Sequence, residues 1–193
     1  MNDIDITVSH PTQYHIRHKG EWASFIITSG ITQYYDGPDD HWVDVIVSSS
    51  FTSMSYKWNS IGSTSWADFL NQPDKMEYFM GKFLTYDQLH EWDRDRAIKW
   101  ASKSVIDTRK SHDITSSEAR ASYEAIMEIY DEQEFDTTIW NDPSFDNFDY
   151  VRFSLVKPWV KNFWETLWVP FMSSLANNAQ LTRLVDITES NIS

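Results

Sequence analysis

The chain contains no cysteine, few glycines and few prolines, and each shortage excludes a class of site. Without cysteine, disulfides, thiolate zinc sites and cysteine nucleophiles are impossible. The 5 Gly and 6 Pro are scattered, so the chain holds neither a glycine-rich phosphate-binding loop nor the Gly-x-Ser-x-Gly turn of serine hydrolases. No motif names a reaction. We therefore expect a protein that is not an enzyme and that uses no cofactor.

A long apolar run is absent as well. The most apolar tract, residues 150–176, is interrupted by four charged residues, Arg152, Lys157, Lys161 and Glu165. A membrane-spanning helix needs about 20 predominantly apolar residues, so we expect no membrane association. Residues 1–11 contain acidic residues and lack the apolar core of a secretory signal. Together with the missing cysteines, these features favour a protein of the reducing cytoplasm.

Aromatic residues, in contrast, are abundant. The chain has 10 Trp, 9 Tyr and 11 Phe, and 41% of its residues are hydrophobic, which is typical of a folded protein with a substantial core. No linker or internal repeat divides the chain. We therefore predict a single domain over residues 1–193, with strands mainly in 1–62, helices mainly in 63–180 and a loosely held tail at 181–193.

The first third of the sequence has the pattern of an antiparallel sheet. Four segments are rich in β-branched and aromatic residues, and the last of them alternates apolar with polar residues as a half-buried strand does. The predicted strands are residues 12–17, 22–28, 42–48 and 51–58. Because connections this short exclude parallel crossovers, we predict a four-stranded antiparallel meander.

After Gly62 the spacing of apolar residues changes to that of helices. Ser65 and Asp68 have the spacing of a capping box, which predicts a short helix over residues 66–71. Asp74 is predicted to cap a second helix, whose apolar residues recur every three or four positions.

Three further helices are predicted. One covers residues 86–108, and the next begins at a capping box formed by Thr115 and Glu118. Pro158 suits the first turn of the last helix, which Pro170 should kink because it removes a backbone amide. With the helices packed over one face of the sheet, the predicted class is α+β.

Negative charge dominates the chain and is concentrated in one region. The net charge is −13, and residues 118–149 hold ten acids but a single base, Arg120. A field of this sign repels nucleic acid and anionic lipid, and it speeds encounter with basic proteins. Direct binding of nucleic acid is therefore disfavoured, and the expected partner is a basic protein or ribonucleoprotein complex.

Within this region, residues 128–149 hold eight carboxylates, five aromatic rings and no Lys or Arg. No clean period is visible, so residues 131–149 are predicted to form a structured loop anchored by its rings. One interpretation is a solubilising loop. The other is a protein-binding face whose carboxylates imitate the charge row of a DNA backbone and whose rings are desolvated anchors. The candidate partner-binding residues are Glu128, Asp131, Glu132, Glu134, Asp136, Trp140, Asp142, Phe145, Asp146 and Asp149.

Histidine offers a weaker alternative site. His41 lies beside Asp39, Asp40 and Asp44, and these are residue types that bind metal ions. A metal site built from two neighbouring ligands needs further ligands from elsewhere in the chain. A solvated turn is the favoured interpretation, so no metal site is predicted.

In residues 54–84 an aromatic-x-Trp strand leads through a Gly turn into two helices. The residues that carry this pattern are Tyr56, Trp58, Gly62, Phe69, Leu70, Asp74, Tyr78, Phe79 and Lys82. Together with the Trp-Pro-Phe helix of residues 162–175, the pattern resembles uncharacterised small accessory proteins of tailed phages and prophages. The resemblance implies a phage protein in the bacterial cytoplasm and transfers no catalytic residue. Such accessory proteins often disable host defences, including CRISPR and restriction systems.

Three hypotheses follow for the function. The favoured one is a non-enzymatic phage protein that binds and inhibits a basic, nucleic-acid-handling host defence complex through the acidic segment, as an anti-CRISPR protein would. The second is an immunity or antitoxin-like protein that caps one toxin. The third is a metal-dependent enzyme that uses carboxylates near His41.

Overall fold

The structure is a computed structural model that describes residues 11–32, 40–62, 64–145 and 153–177. The predicted α+β class is confirmed, because an antiparallel sheet comes first in the chain and helices follow. The chain divides into two compact units, one made of residues 1–89 and 157–193 and the other of residues 90–156. The single domain predicted from the sequence stays a prediction. The predicted tail at 181–193 lies outside the described residues.

The elements are numbered in chain order. The strands are β1 (Thr12–His18), β2 (Glu21–Thr32), β3 (Asp40–Ser49), β4 (Ser53–Trp58), β5 (His90–Trp92) and β6 (Ser154–Val156). The α-helices are α1 (Trp66–Leu70), α2 (Met76–Phe83), α3 (Tyr86–Leu89), α4 (Arg94–Lys110), α5 (Ser116–Met127), α6 (Glu132–Asn141), α7 (Pro158–Phe163) and α8 (Val169–Asn177). A 3₁₀ turn covers Pro143–Phe145, and a π-helical turn covers Trp164–Trp168.

In the first unit, β1 to β4 form the predicted meander, with neighbouring strands antiparallel and in sequence order. The first hairpin turns through Lys19 and Gly20, whose φ angles are 50° and 87°. Two positive φ angles in a two-residue loop give the type I′ turn, whose twist matches that of the flanking strands. The glycine therefore occupies a position that the turn requires.

One face of this sheet is buried, as the alternation of residues along the strands requires. Phe25 is fully buried and stacks on Phe171 of α8, with ring centres 4.1 Å apart. Three valines of β3 lie on the same face, Val43, Val45 and Val47, and all three are fully buried. The sheet thus supplies an aliphatic layer to a core that aromatic rings complete.

Phe79 of α2 lies at the centre of that aromatic core and has no exposed surface. Its ring centre is within about 6 Å of five other rings, those of Trp58, Phe69, Tyr78, Trp164 and Trp168. Edge-to-face and offset pairs at these distances are favourable beyond the burial of area alone. Strand β4, helices α1 and α2 and the π-helical turn are therefore held together by one ring cluster.

The C-terminal helix is irregular where Pro170 was predicted to disturb it. Pro158 occupies the first turn of α7, as predicted. Ahead of Pro170 the backbone widens into the π-helical turn, where the Val169 amide donates to the Trp164 carbonyl. Proline has no amide to donate, so the preceding carbonyls cannot all keep the regular α pattern. The resulting irregularity is a π turn, a known means of accommodating such a break.

Two helix predictions between residues 74 and 108 are wrong. The predicted helix over residues 86–108 is three elements, because Asp93 caps α4 by accepting a hydrogen bond from the Arg96 amide at 3.1 Å. Ahead of that cap the chain forms α3 and the short strand β5. Asp74 does not cap α2 either, since the helix begins one residue later than predicted and Lys75 occupies the N-cap position.

The second unit begins and ends with the two-stranded ribbon of β5 and β6, which pair antiparallel. Between them, α4 and α5 form a helical hairpin, and the capping box predicted at Thr115 and Glu118 is confirmed. Hydrogen bonds to Thr115 hold the pKa of the Glu118 carboxyl below its ordinary value. The core of the unit is a cluster that includes Ala101, Ile126, Phe135, Ile139, Phe145 and Phe153.

Candidate protein-interaction surface

Residues 131–149 were predicted to form a loop, and this prediction is wrong for the part that the structure describes. Residues 132–141 form α6, which buries Phe135 and Ile139 in the core of the second unit. Beside this buried side run Glu132, Asp136 and Trp140 at four-residue spacing, which places them in one row along the helix. We define the α6 surface as Glu128, Tyr130, Asp131, Glu132, Glu134, Asp136 and Trp140.

Three of the predicted acids have a local structural role. The Asp131 carboxylate caps α6 by accepting from the Glu134 amide at 2.8 Å, and the Glu134 carboxylate accepts from the Tyr130 amide at 2.9 Å. Asp142, at the other end of the helix, accepts from the Ser144 amide at 2.8 Å. The N-terminal end of a helix leaves backbone amides without partners. A negative side chain there also interacts favourably with the helix dipole. Folding therefore explains the presence of these three carboxylates.

The other three described acids have no such role. Glu128 and Glu132 are exposed and Asp136 is half-buried. None of the three makes an ion pair, or a side-chain hydrogen bond, to another residue in the described part of the chain. Glu128 also lies at the C-terminal end of α5, where the helix dipole disfavours a negative charge. Glu132 lies in the first turn of α6, where the helix dipole favours a negative charge. Because none of the three carboxylates is paired with a described residue, they are the strongest candidates for an external role.

Among the described residues, Arg94 is a cation that contacts this segment, and its guanidinium binds backbone carbonyls. The Arg94 Nε donates to the Ile129 carbonyl at 2.8 Å, and one terminal nitrogen donates to the Met127 carbonyl at 3.4 Å. Its guanidinium carbon lies 6.0 Å from the centre of the Tyr130 ring. Arg94 thus satisfies carbonyls that the end of α5 leaves without helical partners. Among the described residues, it forms no ion pair with an acid of the α6 surface.

The aromatic residues of the segment divide into core and surface. Trp140 is 69% exposed, as an interface anchor would be, whereas Phe145 is only 7% exposed and packs against Trp100. Phe145 therefore belongs to the core of the second unit, and its assignment to the partner-binding face stays a prediction. Tyr130 was not predicted as a site residue, yet it is 78% exposed. The sequence does not show that Tyr130 is exposed and Phe145 buried, because Tyr130, Trp140 and Phe145 are all aromatic residues among acids.

Two shallow hollows border α6. One, of about 710 Å³, lies between the end of α5 and α6 and is lined by residues that include Glu128, Tyr130 and Glu134. The other, of about 770 Å³, follows the row of Glu132, Asp136 and Trp140. Both are open to solvent and are lined by carboxylates and an exposed ring. Asp146 and Asp149, the remaining predicted site residues, lie outside the described residues.

Comparison with known families supports a phage origin. The family model Phage_phiTE_072, described as a phage family, matches residues 5–175, which is most of the chain. The chain belongs to this phage family. Searches of curated proteins and of solved structures found no match. Membership accords with the resemblance drawn from residues 54–84, whose aromatic positions Trp58 and Phe79 are buried in the first unit.

The described residues also bear on the expectations about membranes and metal ions. Within the described ranges, no helix is long and apolar enough to cross a membrane. In the same ranges, no three His, Asp or Glu side chains come close enough to hold a metal ion. His41 and Asp44 lie on β3, three residues apart, a spacing that places side chains on opposite faces of a strand. Asp40 instead accepts a hydrogen bond from the Gly62 amide at 3.0 Å, and Asp39 lies outside the described residues.

The role of Asp131 as the cap of α6 predicts how its replacement changes the stability of the protein. Replacing Asp131→Ala should lower the free energy of unfolding by about 1 kcal/mol, because the Glu134 amide loses its cap. Asp131→Asn keeps a capping oxygen while removing the charge, so it should change stability by only a few tenths of a kcal/mol. Urea unfolding followed by tryptophan fluorescence measures both. Equal losses in the two variants would show that charge, rather than capping, is the role of Asp131.

Proposed function

We propose that this phage-family chain is a non-enzymatic protein that binds and inhibits a basic, nucleic-acid-handling defence complex, CRISPR–Cas or similar, in the host cytoplasm. The binding face is the α6 surface. The observation that carries the proposal is that Glu128, Glu132 and Asp136 have no ion-pair or hydrogen-bond partner among the described residues and lie beside two strongly exposed rings. Basic groups on another molecule would provide the missing counter-charges.

The density of charge on α6 supports imitation of a nucleic-acid backbone. Four carboxylates occupy the cap and first half of the helix, namely Asp131, Glu132, Glu134 and Asp136. The backbone from Asp131 to Asp136 rises by about 7.5 Å at 1.5 Å per residue. Duplex DNA carries one negative charge per about 1.7 Å of its axis, or roughly four over that length. A groove that is built for phosphates would meet a similar number of charges.

The exposed rings add what a phosphate row lacks. Trp140 continues the row of Glu132 and Asp136, so its indole would reach the same groove as the carboxylates. Trp, Tyr and Arg are the residues that most often dominate binding energy at protein interfaces. Arginine side chains of a nucleic-acid groove can also stack on an aromatic ring. Charge would thus guide the encounter and the rings would slow dissociation.

Affinity capture with a competitor tests this function. The tagged full chain is immobilised and exposed to bacterial lysate at low and at high salt, and bound proteins are then challenged with duplex DNA. We expect captured proteins that bind nucleic acid, that are released by DNA and that are lost at high salt. Capture that neither DNA nor salt disturbs would contradict the proposal, and a single captured toxin would favour an antitoxin function instead.

A further inference from the structure

A second surface of the same unit has the opposite character. Between the C-terminal end of α4 and the middle of α5 lies a groove of about 570 Å³, which we call the α4–α5 groove. Apolar atoms form most of its surface. Its lining residues are Val105, Ile106, Arg109, Lys110, Ala119, Arg120, Tyr123 and Glu124.

The apolar part of the groove is unusually exposed. Ile106 is 48% exposed and Tyr123 is 44% exposed, although both lie on helices that also bury an apolar side. Val105 forms part of the floor and is 2% exposed. Exposed apolar groups that adjoin one another in a groove, rather than singly, are typical of interaction sites.

The rim of the groove is basic in an otherwise acidic chain. Three cations and one acid line it, which gives a local charge of +2 (three minus one), against −13 for the whole chain. Arg109 donates to the Ser116 hydroxyl at 2.9 Å and takes part in none of the ion pairs found among the described residues. Lys110 lies 3.7 Å from Asp107, and Arg120 lies 2.9 Å from Glu124. Even these paired cations are exposed, where such pairs are weak.

We propose that the α4–α5 groove docks an acidic amphipathic helix of a partner protein. Apolar side chains of that helix would cover Ile106 and Tyr123, and its flanking carboxylates would meet Arg109 and Lys110. Helix-in-groove recognition uses this arrangement of apolar anchors at three- and four-residue spacing. Residues 105–110 span about 9 Å of α4 at 1.5 Å per residue, so about two turns of a partner helix match the groove.

Charge and shape favour this occupant over the alternatives. Nucleic acid would gain from the cations, but its phosphates would leave Ile106 and Tyr123 uncovered. A basic helix would be repelled by the +2 rim. The groove is also distinct from the α6 surface, because the two share no lining residue.

The test uses the full chain and three synthetic peptides of fifteen residues. The first carries leucine at helical three- and four-residue spacing and glutamate elsewhere; the second replaces each glutamate by lysine; the third scrambles the first. Fluorescence anisotropy measures binding of each labelled peptide. We expect saturable binding of the first peptide and at least tenfold weaker binding of the other two. No binding of the acidic peptide, or equal binding of all three, would overturn the proposal.

Variants locate the binding on the chain. The double substitution Ile106→Ser with Tyr123→Ser should weaken binding of the acidic peptide at least tenfold. Lys110→Glu should weaken this binding several-fold. All three side chains are exposed, so the fold should survive, which far-ultraviolet circular dichroism checks. Trp140→Ala is the matched control. It should leave peptide binding unchanged while reducing capture of the α6 partner, so the two proposals can fail separately. Undiminished peptide binding by the double variant would overturn the proposal that the α4–α5 groove docks a helix.

Discussion

Replacing Glu128, Glu132 and Asp136 together by lysine is expected to weaken binding of the captured host partner by two to three orders of magnitude. Each reversal removes one attraction to a basic groove and adds one repulsion, so about 1 kcal/mol or more is expected from each. None of these three side chains caps a helix or forms an ion pair with a described residue. The free energy of unfolding should therefore stay within about 1 kcal/mol of the parent value.

A control with the same change in net charge separates the local surface from the total field. Glu77, Glu91 and Glu165 are exposed acids outside the α6 surface, and their replacement by lysine also changes the charge by six units, since each of three residues changes by two. Isothermal titration calorimetry against the purified partner should show a much smaller loss for this control. If both triple variants lose affinity equally, net charge alone guides binding and the α6 surface has no special role.

The largest expected loss of stability comes from Phe79→Ala. Phe79 is fully buried among the rings of Trp58, Phe69, Trp164 and Trp168. Truncation removes buried apolar area and leaves a cavity that rigid neighbouring rings cannot fill, so about 3–5 kcal/mol should be lost. This approaches the whole stability of many domains. Part of the protein should be unfolded at 25 °C, which urea titration and near-ultraviolet circular dichroism would detect.

The neighbouring residue is the matched control for that substitution. Tyr78 is also an aromatic residue of α2, but it is 46% exposed. Tyr78→Ala should therefore cost well under half as much as Phe79→Ala. Similar losses for the two variants would mean that the ring cluster around Phe79 does not hold the first unit together as described.

The four-stranded sheet could be predicted from the sequence, whereas α6 could not, and the reason lies in the number of buried positions. Strand β4 alternates apolar and polar residues along its length, so each residue repeats the same signal. Helix α6 buries only Phe135 and Ile139 fully, a single pair at four-residue spacing. The cap at Asp131 is visible in the sequence, but Asp is so frequent in this segment that its position there is not distinctive.

Short elements and the exposure of individual side chains could not be predicted from the sequence, for related reasons. Strands β5 and β6 have three residues each, too few to show a period, and their pairing joins residues more than sixty positions apart. The exposure of Tyr130 and the burial of Phe145 depend on where the second unit closes its core. Composition and charge could predict an acidic, aromatic segment of the chain, but the division of its acids into helix caps and unassigned charges required the backbone.

The most direct test of the central claim is the salt dependence of binding by a neutral variant. Glu128→Gln, Glu132→Gln and Asp136→Asn remove three charges with little change in shape, and calorimetry then gives the Kd for the captured partner over a series of salt concentrations. We predict that Kd rises steeply with salt for the parent chain and clearly less steeply for the variant. Identical salt dependence in the two proteins would contradict the claim that these three carboxylates bind the partner.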